Sequence, residues 1–530
     1  MSGWDRAAID LGLPELLLME NASREAMHAL AAETGPVRGK RVLLFMGGGN
    51  NGGDAACLAR HLHDGGAEVL VLHTRPLGAC RGVTGQHVRL ARRCGVPFAP
   101  AAGWPEKYRN TPWDVYADAS GCGRGGPDIV VDGILGTGFS GSLRPLELGL
   151  VGRINALAQR AFLFSLDIPS GLSGLTGRPC PVAVRAHATV TFEAAKPGLV
   201  LPEAAPYTGR LHIRPIGIPA AVRRAHPASY QMITDALAGA FPEAAPGWHK
   251  GTAGAILIVG GSEGLTGAPH LAARAALRAG GGLISVAAPH GLCRDIKADC
   301  PDIMTRALGP AGSVRWSPAL LEELLPFLRQ CGASGAGAGA IGRRPGKPGR
   351  RLRYTPLLAC PSRPSAVVDA DALHALAMHP DALSSLRACD VLTPHPGEAA
   401  TLLHTTPALV QADRFAALAG LRRLAPSVWI LKGAGTLIGT AGQPVTIGPL
   451  RGAQSGCGRF RGRALRLPRH ADGADRRAPF RGLRKLQLPR RVHGRLSPCA
   501  GGQAAAWGLP QARQLGDGYR GDAASGTILT

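Results

Sequence analysis

The stretch Met46-Gly47-Gly48-Gly49-Asn50-Asn51-Gly52-Gly53-Asp54 follows an apolar run at 41–45 and opens a helical pattern. A strand ending in glycines lets backbone N–H groups approach a phosphate, and the start of the next helix adds about half a unit of positive charge. The spacing Gly47-x-Gly49-x-x-Gly52 also satisfies the dinucleotide fingerprint. No acidic residue closes the second apolar run, 68–75, which disfavours a plain NAD dehydrogenase. Asn50, Asn51 and Asp54 set amide oxygens and a carboxylate beside the phosphate-binding backbone, and such oxygens suit a hard cation or a sugar hydroxyl. The competing reading is an Asn-Gly turn that only joins strand to helix.

Two further segments have the same character. Val131-Asp132-Gly133-Ile134-Leu135-Gly136-Thr137-Gly138-Phe139-Ser140-Gly141 puts a carboxylate at a strand end and then a second cradle of glycines and hydroxyls. Leu166-Asp167-Ile168-Pro169-Ser170-Gly171-Leu172 is again a strand end followed by a turn. Each alone could be a helix cap. In an open α/β sheet, however, the carboxyl ends of the strands face the ligand crevice, so Asn51, Asp132, Asp167 and Ser170 can converge there.

The chain has 530 residues, 45% hydrophobic, enough for two domains with separate cores. No apolar run reaches the roughly 18 residues that span a bilayer, and no charged start leads into an apolar stretch, so a cytoplasmic protein is expected. The 12 cysteines are scattered, without C-x-x-C or clustering with His, and read as small hydrophobes. The net charge of +24 is concentrated. Residues 331–363 carry seven basic residues and no acid, and 451–530 carry 16 basic and four acidic residues. Nucleic acid is therefore not the expected partner, although solvated basic arms remain the rival reading of those two stretches.

From residue 4 to about 219, apolar runs at 42–46, 68–73, 128–132, 161–167 and 188–191 alternate with helical stretches, as in a doubly wound α/β domain. Residues 7–32 read as a pair of short amphipathic helices with Leu16, Met19 and Met27 in the core. A second α/β domain begins with a strand at 255–260, a glycine turn, an Ala-rich helix at 268–279 and a strand at 283–288. The expected boundaries are 1–222, a linker at 223–245, 246–449, and a basic segment at 450–530 expected to be disordered.

The three polar segments of the first domain resemble the NAD(P)H-hydrate epimerase family, the N-terminal half of bifunctional nicotinamide nucleotide repair enzymes, which has a Rossmann-like fold. The resemblance implies that Asn50, Asn51, Gly52, Gly53, Asp54, Gly136, Thr137, Gly138, Phe139, Ser140, Gly141 and Ser142 bind the hydrated dinucleotide NAD(P)HX. It implies that Asn51, Asp132 and Ser170 hold a potassium ion, and that Asp167 contacts substrate and transfers the proton. Ala55, Ser173 and His187 depart from the family pattern at positions expected to lie away from the ligand.

The second domain resembles the ADP-dependent (in some members ATP-dependent) NAD(P)H-hydrate dehydratases, which are ribokinase-like. The segments that carry this are His249-Lys250-Gly251-x-x-Gly254 with Gly260-Gly261-Ser262, Pro301-Asp302-Ile303-Met304-Thr305, Leu392-Thr393-Pro394-His395-Pro396-Gly397-Glu398, and Lys432-Gly433-Ala434-Gly435-Thr436. By resemblance, Ala268 and His395 touch the hydrated ring, and Lys432, Gly433, Ala434, Gly435 and Thr436 bind ADP or ATP, with Mg2+ as the metal of phosphoryl transfer. The family's glycine turn with its activating Asp is not found beyond 449, where Arg-rich text stands. A strand expected within 331–364 is likewise replaced by an Arg-Pro-Gly run, with the family pattern resuming at Ala366. Such lapses are what reading-frame slips would leave, and dehydratase activity is doubtful on this reading. The alternative is a non-catalytic dinucleotide-binding protein with basic arms. Either form could be a homo-oligomer.

Overall fold

The computed structural model describes residues 2–114, 125–139, 141–234, 247–251, 253–333, 337–342, 355–360, 363–448 and 528–529. Two compact units divide near Tyr230.

In the first unit a seven-stranded sheet runs in the order β3-β2-β1-β4-β5-β6-β7. Its strands are β1 (Arg41–Met46), β2 (Glu68–His73), β3 (Phe98–Pro100), β4 (Ile129–Gly133), β5 (Phe162–Leu166), β6 (Ala188–Phe192) and β7 (Arg210–Arg214). All neighbours are parallel, with Leu44 opposite Val71 on one side and Val131 on the other. β1 has apolar residues pointing both ways, and each face is covered. Val42, Leu44 and Met46 join the core formed with α2 (Glu15–Thr34), α3 (Asn50–Asp64) and α4 (Gly82–Arg93). Leu43 and Phe45 join the core formed with α5 (Pro145–Leu157). Ala55, Ala56 and Ala59 are fully buried, so α3 lies close on the sheet. On the other face the Trp104 ring meets Phe45 edge-on, with centroids 5.1 Å apart.

Every strand expected in this unit is present, with β3 and β7 in addition. β3 is only three residues long and β7, Arg-Leu-His-Ile-Arg, is an edge strand, so neither carries a continuous apolar run. The N-terminal region differs from expectation. A short α1 (Ser2–Asp10) precedes a 20-residue α2. Met19 is buried and Met27 packs against the core, but Leu16 is 44% exposed. It lies two residues from the buried Leu18, roughly 200° around the helix.

The cysteine reading also needs correction. Cys57 and His61, one turn apart on α3, meet Glu20 of α2, with ligand atoms within 4.8 Å of one another. Arg60 occupies this cluster, its Nη2 lying 2.7 and 2.8 Å from the Glu20 oxygens, and burial pushes the Cys57 thiol up to about 12. A protonated thiol beside a guanidinium is a helix-packing contact.

The linker expected at 223–245 holds part of a helix, Ala220–Ala225, and the short strand β8 (Tyr230–Met232). The second sheet runs β11-β10-β9-β12-β13-β14-β15-β16-β17. These are β9 (Ala255–Gly260), β10 (Leu283–Pro289), β11 (Met304–Leu308), β12 (Gly337–Gly342), β13 (Ser365–Val368), β14 (Val391–Leu392), β15 (Val428–Leu431), β16 (Leu437–Gly439) and β17 (Val445–Ile447). Pairing is parallel from β11 to β15 and antiparallel beyond. The Ala-rich helix Gly267–Arg278 packs Ala273 and Ala276 on Ile258, Ile284 and Val286.

The strand expected to be missing within 331–364 is present as β12, paired with β9 and β13. Its sequence, Gly-Ala-Gly-Ala-Ile-Gly, has little β-branched signal, and the pairing of its neighbours supplies what propensity does not. The other end of that stretch fits the fold as well. Arg363 is buried and sets Nη1 and Nη2 2.8 and 2.5 Å from the two oxygens of fully buried Asp390, while its Nε donates to the Leu358 carbonyl. Removing one partner of such a pair leaves a buried charge unmatched. Arg363→Ala is expected to lower the stability of the second unit by about 3–5 kcal/mol in urea unfolding followed by circular dichroism, whereas a surface arginine would cost under about 0.5 kcal/mol.

Candidate functional site

The loop between β1 and α3 passes very close to the turn after β4. A Cβ on Gly47 would stand 1.9 Å from the Ile134 carbonyl oxygen, and one on Gly52 2.0 Å from the Gly47 oxygen, so only glycine fits at either position. Gly49 caps α3 without a side chain, leaving the first N–H groups of the helix open. Asn51, buried in its first turn, ties three elements together. Its Nδ2 donates to Leu135 O at 2.8 Å and Leu166 O at 3.1 Å. Its Oδ1 is buried with no hydrogen-bond partner.

Asp132, at the end of β4, is fully buried. It accepts from Ser170 Oγ at 2.5 Å, Ser170 N at 2.8 Å, Ser165 Oγ at 3.0 Å and Ile134 N at 3.3 Å. Burial raises its carboxyl above the ordinary range, and the Ser170 and Ile134 donors pull in the opposite direction. Ser170 Oγ in turn accepts from Leu135 N at 3.0 Å, so Asn51 and Ser170 grip the same residue from opposite sides. An orphaned amide oxygen, a carboxylate and a hydroxyl are an all-oxygen donor set of the kind a hard cation takes, and the residues fit one.

Asp167 follows β5 with φ of +62°, a conformation that costs a non-glycine residue about 1–2 kcal/mol. Its Oδ2 accepts from Thr137 N at 3.1 Å, which binds the strand end to the second glycine cradle. Its Oδ1 faces the ammonium of Lys196 at 2.5 Å, and Lys196 is 3% exposed. Lys196 also donates to Thr191 Oγ1 at 2.8 Å. Sequence reasoning missed this lysine, which sits in the turn just beyond β6, at the same sheet edge as the residues it did find. Nearby Asp54 is only partly buried by its surface, yet burial first, and then the charges of Asp167 and Asp5, push its carboxyl well above the ordinary range.

Of these groups Asn51, Asp54, Asp167 and Lys196 line one cleft of about 1170 Å3, together with Gly47 to Asn50, Gly136 to Phe139 and Gly141, whereas Asp132 and Ser170 are not among its lining residues. Gly52 and Gly53 are buried and do not line it, Gly53 lying against Met19 and Thr84, and Ser142 is exposed outside it. Ser140 falls outside the described residues. Ser173, expected to lie away from the ligand, lines the cleft.

In the second unit His395 caps the helix Pro396–Leu402. Its Nδ1 accepts from Gly397 N at 3.0 Å and Glu398 N at 3.2 Å, which leaves Nε2–H to donate to Glu398 Oε1 at 3.2 Å. Lys432, at the end of β15, is 2.5 Å from Asp369 Oδ1 and 3.7 Å from Glu398 Oε2, so it meets the His395 turn through Glu398. The Gly433–Thr436 turn is braced by buried Arg414, which donates to Leu431, Ala434 and Gly435 carbonyls. Ala268 is exposed in the first turn of its helix, beyond β9. Glu398 was quoted with the His395 motif but given no role, and Asp369 and Arg414 were not assigned to the site from sequence, although Asp369 stands at a strand end and Glu398 three residues after His395 in a capping box.

Residues 15–198 match the family described as YjeF-related protein N-terminus, and residues 256–458 the family described as NAD(P)H-hydrate dehydratase. The bifunctional NAD(P)H-hydrate repair enzyme Nnr of Moorella thermoacetica is 36% identical over 447 residues, 84% of this chain and 81% of its own. That of Coxiella burnetii is 31% identical over 448 residues, 84% of this chain and 83% of its own. A solved ADP/ATP-dependent NAD(P)H-hydrate dehydratase from Bacillus subtilis, co-crystallised with ATP and Mg2+, is 20% identical at a TM-score of 0.34, covering 47% of this chain and 83% of that one.

The raised Asp54 carboxyl has a thermodynamic consequence. Above the ordinary carboxyl range, near pH 4, the unfolded chain releases this proton while the folded chain keeps it. The group therefore lowers stability as pH rises toward its folded value. Asp54→Asn is expected to raise the thermal midpoint at pH 7 and to change it little at pH 4, measured by calorimetry.

Proposed function

Because this chain belongs to the family of bifunctional NAD(P)H-hydrate repair enzymes, with an epimerase half followed by a dehydratase half, we propose that the first cleft is its epimerase site and Asp167 the proton-transfer group. The observation that carries this is the strained Asp167, which lines the cleft and is held between Thr137 N and Lys196. Kinship with enzymes over 84% of the chain also favours catalysis over a binding-only role.

The substrate carbon that must invert, C6 of the hydrated ring, carries both a hydroxyl and the ring nitrogen. Asp167 takes the hydroxyl proton, the C6–N1 bond breaks with its electron pair going to nitrogen, and the proton is returned to N1. Rotation and reclosure on the other face of the new aldehyde restore the ring with C6 inverted. No redox partner is consumed. A carboxylate with a fixed cationic neighbour suits this proton traffic, and Lys196 positions it. Asn51 Oδ1, Asp132 and Ser170 would hold a potassium ion, which supplies a fixed positive charge beside the substrate.

In the second unit, Lys432 to Thr436 would take the adenine nucleotide, ADP or ATP with Mg2+, and Ala268 and His395 the hydrated ring. The reaction of a complete site there would be phosphorylation of the ring hydroxyl followed by loss of phosphate. The family match ends at residue 458, and the acids beyond it, among them Asp472, Asp475 and Asp517, stand outside the sequence context of the family's activating Asp.

Three measurements test this. Asp167→Asn should slow interconversion of the R and S hydrates by about 10²–10⁴-fold with the fold intact by circular dichroism; full activity would remove Asp167 from the mechanism. Epimerisation should be faster in potassium than in tetramethylammonium buffer. With ADP and Mg2+ present, the chain as written should interconvert the hydrates without forming NADH or NADPH, and normal dehydration would overturn that separation of the two halves.

A further inference from the structure

The strand order β3-β2-β1-β4-β5-β6-β7 places the topological switch point between β1 and β4. A dinucleotide gripped at the β1–α3 loop therefore lays one half over β1 and β2 and the other over β4 to β6. Asp167 and Lys196 stand on the β5–β6 side, so the hydrated ring belongs there and the adenosine ribose at the carboxyl end of β2.

In this sheet geometry the residue at the end of β2 reads the ribose: an acid hydrogen-bonds a free 2′-hydroxyl and repels a 2′-phosphate, while an arginine accepts the phosphate. The residue here is Arg75. Its Cγ lies 3.1 Å from where a Gly48 Cβ would be, so the side chain runs along the phosphate-binding loop. Its backbone is fixed: Thr74 N donates to Met46 O at 2.9 Å, and His73 Nδ1 lies 2.8 Å from Arg75 O. Arg75 is exposed and forms no ion pair among the described residues. Arg144, also in the cleft, is instead bound by Glu147. At this end the lining, Gly48, Gly49, Thr74, Arg75 and Ala79, contains no acid. Glu68 is at the opposite end of β2, about 17 Å away along the strand, level with Arg41.

We propose that Arg75 is a specificity-determining residue that receives the 2′-phosphate of the phosphorylated hydrate, so that the first unit turns over NADPHX in preference to NADHX. This rests on the epimerase reading of the cleft. A guanidinium–phosphate contact of this kind is worth about 10–100-fold in affinity.

The test uses the full chain and compares wild type with Arg75→Ala and Arg75→Glu. The kcat/KM ratio for NADPHX over NADHX should exceed about ten in wild type, fall near one in Arg75→Ala, chiefly through KM, and invert in Arg75→Glu. A ratio near one in wild type, or one unchanged by both substitutions, would overturn the proposal. Calorimetry with adenosine 2′,5′-bisphosphate and adenosine 5′-monophosphate keeps the two readings separate. Tighter binding of the bisphosphate by wild type, lost in Arg75→Ala, supports the role of Arg75 even if neither hydrate is turned over, a result that would overturn only the epimerase reading.

Discussion

The whole site depends on how closely the β1–α3 loop approaches the turn after β4. With Gly47 pressed on the Ile134 carbonyl and Gly52 pressed on Gly47, α3 begins directly over the sheet edge. This brings Asn51 within reach of Leu135 and Leu166 at once. One amide therefore ties the first strand crossover to the ends of β4 and β5, the two strands that end in Asp132 and Asp167. A side chain at either glycine would push the helix outward and break both bonds. The three polar turns are thus one structure rather than three neighbouring loops, and the glycines serve that closeness as much as they serve a phosphate.

That arrangement spends its polar atoms unevenly. Asp132 has four donors on its two oxygens, Asn51 Nδ2 has two acceptors, and Ser170 both gives and receives, yet Asn51 Oδ1 is buried with nothing to bind. In a cluster otherwise so fully bonded, an unmet acceptor beside a carboxylate is costly, by about 1–3 kcal/mol. A cation there would offset that cost, and would also offset the desolvation that raises Asp132. The hydrogen-bond accounting of the cluster thus supports the proposed potassium site.

The sequence made the edge of the first sheet legible because strand ends are where its signal is strongest: an apolar run stops and glycine, Asp or Asn begins. Asn51, Asp132, Asp167 and Ser170 all have that signature. Lys196 lacks it. It lies four residues past the end of β6 in Glu-Ala-Ala-Lys, and only the parallel pairing of β5 with β6 carries it to Asp167. Cys57, His61 and Glu20 escaped for a related reason, since Glu20 comes from a different helix. In the second unit β12 was hidden by composition, because a Gly-Ala strand has almost no propensity and exists through its partners on both sides. Arg363 was grouped with the basic run before it, and its acid, Asp390, is 27 residues away. Local pattern identifies edges and cradles; pairings that depend on sheet order have to wait for the fold.

The same sheet edge explains why a scaffold shaped like that of a dehydrogenase suits an isomerisation. A hydride transfer needs the nicotinamide ring presented to a second substrate. Here the cleft instead gathers protein charges: Asp167 against the Lys196 ammonium beyond β5 and β6, and Asp54 on α3 with its carboxyl driven toward the protonated form by burial and by Asp167 itself. For a substrate whose fault is the configuration of one hydroxyl-bearing carbon, the proposed opening and reclosure of the C6–N1 bond needs only a proton carried between oxygen and nitrogen, and the backbone strain at Asp167 fixes where its carboxyl stands.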